Sequence, residues 1–383
     1  MLFLPVQRKE QHLPHKFIIS GGGTGGHIFP AIAIANALKA KLPEAEFLFV
    51  GAEGKMEMEK VPAAGFKIEG LWISGLQRKF TLSNFAFPFK VMSSLIRAKK
   101  ILKKFKPDAV IGTGGFASGP MLRVASNAGI PSLIQEQNSY PGITNKILSK
   151  RVNKICVAYD GMEKYFPKEK IVFTGNPVRQ DISNLDGKRP RGLEFFNLKN
   201  DKTTLLVVGG SLGAKAINES LEAGIQKLVE KNIQVIWQTG KPFYSRAKIV
   251  GDKYKSEGIV ITEFISKMDL GYAVADVVVS RAGAGAVSEL CLVHKPCILV
   301  PLPTAAEDHQ TKNAMSLVNH HAALLVKDVD AKNELVEKAI QLVEDISLRN
   351  KLETNIAGLA VENSAELIAS EIISLVNKRN EKK

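Results

Sequence analysis

Four times in 383 residues, a short run of apolar β-formers gives way to a cluster of glycines and then to a helical pattern. Phe17-Ile18-Ile19 leads into Gly21-Gly22-Gly23-Thr24-Gly25-Gly26-His27. Val110-Ile111 leads into Gly112-Thr113-Gly114-Gly115-Phe116-Ala117-Ser118-Gly119-Pro120. In the second half, Leu205–Val208 leads into Gly209-Gly210-Ser211-Leu212-Gly213-Ala214, and Val277–Ser280 into Arg281-Ala282-Gly283-Ala284-Gly285-Ala286. Further β-rich runs fall between them at Phe47–Val50, Ser132–Gln135, Lys154–Val157, Ile171–Thr174, Val235–Gln238, Val260–Thr262 and Cys297–Val300. Strand alternating with helix makes parallel sheets covered on both faces. Two loop pairs, one per half, imply an α/β chain of two doubly wound, Rossmann-like domains facing a cleft. Ligands of such sheets bind beyond the carboxyl ends of the strands, where these loops lie.

The first loop states a chemistry. Five of its seven residues lack a side chain, so the backbone can turn sharply and bring its N–H groups close to a ligand. The run from Ile28 to Ala40 reads as a helix. Its N-terminus adds about half a positive charge and unpaired donors, a site for phosphate. Gly21, Gly23 and Gly26 also satisfy G-x-G-x-x-G, with Glu53 as a late ribose acid, which is the signal of a nicotinamide or flavin enzyme. A dinucleotide domain has no need of the second loop set.

The length suits two domains, and 45% apolar residues describe an ordinary globular chain. No apolar run reaches the ~18–20 residues that span a bilayer, and Leu2-Phe3-Leu4 is too short for a signal core, so the expected location is the cytoplasm. Three cysteines, Cys156, Cys291 and Cys297, give no disulfide framework. Cys291, His294 and Cys297 have metal-like spacing but no fourth ligand nearby. Asp328-Val329-Asp330 matches a metal-binding Asp-x-Asp formally and reads as a helix cap. No metal and no cofactor are expected.

The net charge of +14 is uneven: residues 66–106 hold ten Lys/Arg (67, 78, 79, 90, 97, 99, 100, 103, 104 and 106) against Glu69 alone. Leu71-Trp72-Ile73, Leu76, Leu82, Phe85, Phe87, Phe89 and Met92 are interleaved with them. Apolar side chains in a basic field suit an anionic membrane surface; the alternative is a buried connection followed by an amphipathic helix with solvated lysines. Nucleic acid is disfavoured because the framework offers no groove-reading element.

From about Lys16 to the C-terminal helix the chain resembles the MurG family of UDP-N-acetylglucosamine–N-acetylmuramyl-(pentapeptide) pyrophosphoryl-undecaprenol N-acetylglucosamine transferases. The matching motifs are Gly22–His27, Gly114–Pro120, Glu136-Gln137-Asn138, Gly175-Asn176-Pro177-Val178-Arg179, Gly209-Gly210-Ser211, Ser280–Ala284 with Ser288-Glu289, and Asp308-His309-Gln310. Each is moderately specific, and seven in order are strong. The resemblance implies a glycosyltransferase B fold and inverting transfer of GlcNAc from UDP-GlcNAc to the MurNAc 4-hydroxyl of lipid I. The product would be lipid II for peptidoglycan synthesis, made at the cytoplasmic face of the plasma membrane by a peripheral protein. The rival readings are a UDP-sugar transferase acting on another lipid such as diacylglycerol, a UDP-GlcNAc epimerase, and a catalytically silent binding module.

Residue roles follow from the resemblance. Ala284, Gly285, Ala286, Val287, Ser288 and Glu289 would hold the donor, with Glu289 on the ribose hydroxyls, and Ser211 and Arg179 would hold the diphosphate. Arg179 is alternatively a clamp at the domain junction. Gln310, and less directly Asn313, would read the GlcNAc hydroxyls, and Ile265 would border the uracil through its backbone amide. Thr24, Gly25, Gly26 and Asn138 would bind sugar or phosphate oxygens of the acceptor. The candidate bases are His27, whose residue type titrates near neutrality, and Glu136; the alternatives are that neither serves and that His27 binds phosphate or packs the loop. Two departures remove possible donor contacts: Leu212 stands where the family commonly has Gln, and Ala286 where Thr is common. The expected layout is an N-terminal extension at 1–15, an acceptor and membrane domain at 16–177, a UDP-GlcNAc domain at 178–364, and a C-terminal helix at about 365–380 packing back on the first domain.

Overall fold

A computed structural model describes residues 14–75 and 87–381. Most of the N-terminal extension, together with Leu76, Arg78, Lys79, Leu82 and Phe85, lies outside the described residues. The strands are β1 (Lys16–Gly21), β2 (Glu46–Ala52), β3 (Lys67–Leu71), β4 (Ala109–Gly114), β5 (Ser132–Glu136), β6 (Lys154–Val157), β7 (Ile171–Phe173), β8 (Thr204–Val208), β9 (Gln234–Gln238), β10 (Ile259–Thr262), β11 (Val277–Ser280), β12 (Cys297–Leu299) and β13 (Leu324–Leu325). They form a seven-stranded sheet in the order β3-β2-β1-β4-β5-β6-β7 and a six-stranded sheet in the order β10-β9-β8-β11-β12-β13. The pairings within each sheet are parallel.

All seven expected β-runs between the loops are strands. Two strands were not expected, β3 and β13. Each sits at a sheet edge: β3 is a charged segment recruited by pairing with β2, and β13 is a two-residue strand paired with β12.

The helices are α1 (Gly25–Lys41), α2 (Glu57–Ala63), α3 (Phe87–Phe105), α4 (Ser118–Asn127), α5 (Ile143–Leu148), α6 (Arg189–Phe196), α7 (Lys215–Glu230), α8 (Lys241–Gly251), α9 (Met268–Val274), α10 (Ala284–Leu292), α11 (His309–Val318), α12 (Ala331–Glu344), α13 (Ile346–Ala357) and α14 (Ser364–Asn380). The chain divides into two compact units. One runs to Gln135 and adds Ile147–Lys154 and the chain from Ile368; the other comprises Glu136–Lys146 and Ile155–Leu367.

Strand order reverses between β1 and β4 in the first sheet and between β8 and β11 in the second. These are the topological switch points, where adjacent loops diverge and leave a crevice. The four strands that flank them are the four that end in glycine-rich loops. The sheets need a dry core to hold those loops rigid. In the first, Phe17, Ile19, Ile111 and Ile134 are buried with Ile34 and Leu38 of α1 and Leu122 of α4. In the second, Leu205, Val207, Val235, Trp237 and Val277 pack beneath α7 and α12, and Leu206, Ile236, Val278 and Leu299 pack beneath α9, α10 and α11. The buried Trp237 indole is satisfied by Asn218 Oδ1 at 2.9 Å.

The two loops of the first unit touch. Gly22 donates to Gly114 O at 3.3 Å, and a Cβ on Gly115 would lie 2.2 Å from Gly22 O, at a φ of +84° that L-residues rarely adopt. We expect Gly115→Ala to destabilise the protein by roughly 2–4 kcal/mol through strain and overpacking. Urea denaturation checks this; an unchanged midpoint would contradict the close approach.

Candidate functional site

In the first unit, α1 opens at Gly25 behind Thr24. The amides of His27 and Ile28 are bonded to Thr24 O at 3.1 and 3.2 Å. Gly23 is also committed: its N–H donates to Glu57 Oε2 at 2.8 Å, while Ala52 N–H donates to Glu57 Oε1 at 2.9 Å. Glu57 is fully buried. Nothing local in the sequence marks it, because the bond spans 34 residues. The expected phosphate cradle is therefore narrower than the whole loop. It centres on Gly25 and Gly26 in the first helical turn, where an α-helix leaves its N–H groups without an internal acceptor. His27 is half-buried on the same turn. Its ring lies against Gly114, where a Cβ would come within 2.7 Å of the imidazole, and its carbonyl accepts from Thr113 Oγ1 at 2.9 Å. Glu53, the ribose acid of the dinucleotide reading, pairs with Arg97 at 3.0 Å instead.

Glu136, the second candidate base, is buried. Its Oε1 accepts from the Asn138 amide at 3.0 Å and Asn138 Nδ2 at 3.2 Å. Its Oε2 accepts from the Gly142 amide at 3.1 Å and Asn145 Nδ2 at 2.8 Å. A carboxylate offers about four lone-pair positions, and four donors fill them. The carboxylate holds the 137–142 loop, with all four positions engaged. Asn138 is likewise engaged: its Nδ2 goes to Glu136 and its Oδ1 accepts from Asn313 Nδ2 at 3.1 Å. Asn313, fully buried on α11, accepts from Ser139 N at 3.0 Å and Ser139 Oγ at 3.2 Å. It ties the 137–142 loop to α11.

The second unit assembles most of the expected donor residues. Glu289 stands on α10, whose start carries Ala284, Gly285 and Ala286 in the first turn. A Cβ on Gly283 or Gly285 would meet nothing within 4 Å, so the helix N-terminus faces open space. Val287 is the exception among the expected ligands. Its side chain is 1% exposed in the core, and its amide is bonded to Gly283 O at 2.9 Å. Ser288 accepts from Asn176 Nδ2 at 3.0 Å, and that same amide donates to Gln137 O at 2.9 Å. Ser211 and Leu212 are exposed on the loop that precedes α7. Gly213 must be glycine there, with φ +78° and room for no Cβ against Thr239 O.

Ile265 is buried, and its amide donates to Gln238 Oε1 at 2.9 Å, while Gln238 Nε2 donates to Gly210 O at 3.0 Å. The amide assigned to a base is thus used to tie the Ile265 segment to the Gly210 loop. Gln310 lies on α11, and its Oε1 accepts the Leu302 amide at 2.9 Å. Immediately before it, Glu307 and Asp308 both take left-handed backbone, with φ of +56° and +55°. Two successive non-glycine residues in that region store strain, a common property of ligand-facing segments. Arg179 is paired with Asp181 at 3.0 Å and close enough to Glu289 to act on its charge.

Tyr272 on α9 is a residue that the sequence did not single out. Its buried hydroxyl donates to Glu289 Oε2 at 3.0 Å. Burial pushes the Tyr272 phenol well above its ordinary range, and the neighbouring carboxylate pushes it further, so it remains a donor. Burial also pushes the Glu289 carboxyl up. The Tyr272 hydrogen bond and the Arg179 charge pull it back, and Asp181 opposes them.

The cysteines do not gather ligands. All three are free and buried, and burial pushes the Cys291 thiol up to about 12. Asp328 pairs with Arg281. Among the described residues there is no group of three or more His, Cys, Asp or Glu placed to hold a metal ion.

Open helix starts at two switch points, with a tyrosine-held acid beside one of them, have the chemistry of a site for phosphate-bearing ligands. Residues 17–157 match the glycosyltransferase family 28 N-terminal domain and residues 204–371 the glycosyltransferase family 28 C-terminal domain. The chain is 54% identical over 364 residues, covering 95% of it and 98% of the relative, to the UDP-N-acetylglucosamine–N-acetylmuramyl-(pentapeptide) pyrophosphoryl-undecaprenol N-acetylglucosamine transferase of Cytophaga hutchinsonii. It is 53% identical to the enzyme of that name from Flavobacterium psychrophilum, covering 95% of this chain and 99% of the relative. The crystal structure of Acinetobacter baumannii MurG superposes with a TM-score of 0.78 at 28% identity, covering 94% of this chain and 100% of that one. The fold is the glycosyltransferase B fold, and the chain belongs to glycosyltransferase family 28. Within that family it is a member of the MurG transferases.

A carboxyl raised by burial favours the fold when protonated and loses that contribution as pH rises through its folded-state value. Glu289→Gln should therefore raise the melting temperature of the ligand-free protein at neutral pH. The gap between variant and wild type should close as pH falls below the ordinary glutamate value. The same variant should bind UDP more weakly. Calorimetric melts across pH, with UDP titrations, check both; a variant that melts lower at neutral pH would contradict the burial argument.

Proposed function

We propose that the protein transfers GlcNAc from UDP-GlcNAc to the MurNAc 4-hydroxyl of lipid I with inversion, giving lipid II, at an anionic membrane surface. The observation that carries this reading is the start of α10: an open helix N-terminus with Glu289 fixed nearby by Tyr272. A carboxylate with two oxygens matches two vicinal ribose hydroxyls, and the adjacent helix end suits a diphosphate. The acceptor oxygen forms its bond to the anomeric carbon as the bond to the diphosphate breaks. UDP leaves with that electron pair, and the hydroxyl proton passes to His27. Negative charge grows on the leaving diphosphate. The first-turn amides of α10, Ser211 and Arg179 stabilise it there, an arrangement worth several kcal/mol in a pre-organised site. Gln310, held through its carbonyl by Leu302, turns its NH2 end to the sugar hydroxyls. Gly25 and Gly26 take the acceptor's pyrophosphate, and Thr24 supplies a hydroxyl.

The basic segment supports the membrane part. On α3 the residues Ser94, Ala98, Ile101 and Leu102 are buried, while Phe89, Met92 and Ile96 are 74%, 60% and 52% exposed on another stripe. They line a depression of about 650 Å³ together with Arg97, Lys100 and Lys104. Trp72, also exposed, carries Lys90 over its ring at 5.6 Å. Exposed apolar side chains bordered by cations insert at a headgroup boundary. Among the described residues no helix is long and apolar enough to cross a membrane.

Labelled UDP-GlcNAc incubated with lipid I should yield labelled lipid II, and activity should persist with chelator. Absence of transfer would overturn the function. Reversing the charge of Lys99, Lys100, Lys103 and Lys104 should cut binding to vesicles of anionic phospholipid at least about tenfold, at about 1 kcal/mol per cation. Binding that stays at the wild-type level would place the docking surface elsewhere.

A further inference from the structure

Glu289 has one carboxylate oxygen taken and one left over. Its Oε2 accepts from the Tyr272 hydroxyl at 3.0 Å. Among the described residues its Oε1 accepts no hydrogen bond. Tyr272 makes no other side-chain hydrogen bond among those residues, and its ring lies on α9 in the apolar core that holds Leu206, Val278 and Leu290. A ring packed in such a core has little freedom to turn, so its hydroxyl is a fixed point.

Few charges act on that carboxylate. Arg179 holds it toward the ionised form and Asp181 opposes this. Both are exposed and paired with each other at 3.0 Å, so water and the pairing weaken their reach. Helices α11 and α13 also pack against α10, and among the described residues none of their charged groups acts on Glu289. Burial disfavours the charge, and the Tyr272 hydroxyl is the hydrogen bond that answers it.

We propose, on the reading of Glu289 as the ribose acid, that Tyr272 is the positioning residue of the donor site: it occupies Oε2, leaves Oε1 for the ribose hydroxyls, and makes recognition of the nucleoside depend on pH. A protonated carboxyl gives up an acceptor. Nucleoside affinity therefore falls as pH is lowered through the Glu289 value. Without the Tyr272 hydroxyl, burial acts unopposed by that bond, the carboxyl takes its proton at higher pH, and the fall in affinity begins sooner.

The test is titration of the full-length protein with uridine, followed by NMR from about pH 4.5 to about pH 8, a range that spans the ordinary glutamate value. Uridine carries the ribose and no phosphate that would titrate in that range. Tyr272→Phe should weaken binding about threefold to tenfold at the alkaline end, the scale of one hydrogen bond, and should move the acid midpoint to higher pH. In a Glu289→Ala background the same substitution should change binding by less than about twofold, as a double-mutant cycle requires of a residue that acts through Glu289 alone. Site-specific 3-fluorotyrosine in place of Tyr272 keeps the packing and makes the hydroxyl a stronger donor; it should move the midpoint to lower pH, a readout that survives if Tyr272→Phe fails to fold. A midpoint that neither substitution moves, or an equal loss in the Glu289→Ala background, would overturn the positioning role alone. Uridine binding that Glu289→Ala leaves unaltered would overturn the ribose reading of Glu289 and the positioning role with it.

Discussion

The arrangement depends on one buried carboxylate. Glu136 ends a strand and accepts four hydrogen bonds, two from backbone amides and two from asparagine side chains. A charge taken out of water is tolerated only when its acceptor positions are filled. Filling them folds the 137–142 loop back over Glu136. Asn138 and Ser139 then meet Asn313, which sets α11 with Gln310 and Lys312. Remove the charge and donors face donors around the whole turn.

The same device recurs. Glu57 sits under the first glycine loop and takes the Gly23 amide, so the open donors are confined to the helix start. Glu289 is held by the Tyr272 hydroxyl, with the Arg179 charge acting on it. Gln238, a neutral relative of these groups, ties Gly210 to Ile265. In each case a polar side chain fixes a flexible glycine loop or a charged ligand group from below. Catalysis by fixed dipoles needs such rigidity, because donors that must reorganise lose their advantage.

The glycine loops and their strands were legible because the signal is local: an apolar run, then glycines, then helical spacing. The order of the motifs led to the family. What escaped the sequence is non-local. β3 reads as the charged string Lys67-Ile68-Glu69-Gly70-Leu71 and becomes a strand by pairing with β2. Glu57 meets Gly23 across 34 residues, and Tyr272 meets Glu289 across 17 from another helix. Glu136 looked like a base because a carboxylate after a strand is a fair candidate. Only the positions of Gly142 and Asn145 reveal that its oxygens are spent. The burial of the Val287 side chain and the Ile265 amide's bond to Gln238 are likewise invisible in a motif.

Single-turnover transfer rates of two variants separate the two candidate bases, His27 and Glu136, most directly. His27→Asn should keep the wild-type melting temperature and lose about 10²–10⁴-fold in the chemical step. Glu136→Gln sets an NH2 group against donors and should lower the melting temperature. Below its own transition it should keep a transfer rate within about tenfold of wild type, a bound that separates it from the loss of a base. The opposite pattern, with His27→Asn active and Glu136→Gln fully folded and inactive, would contradict the account.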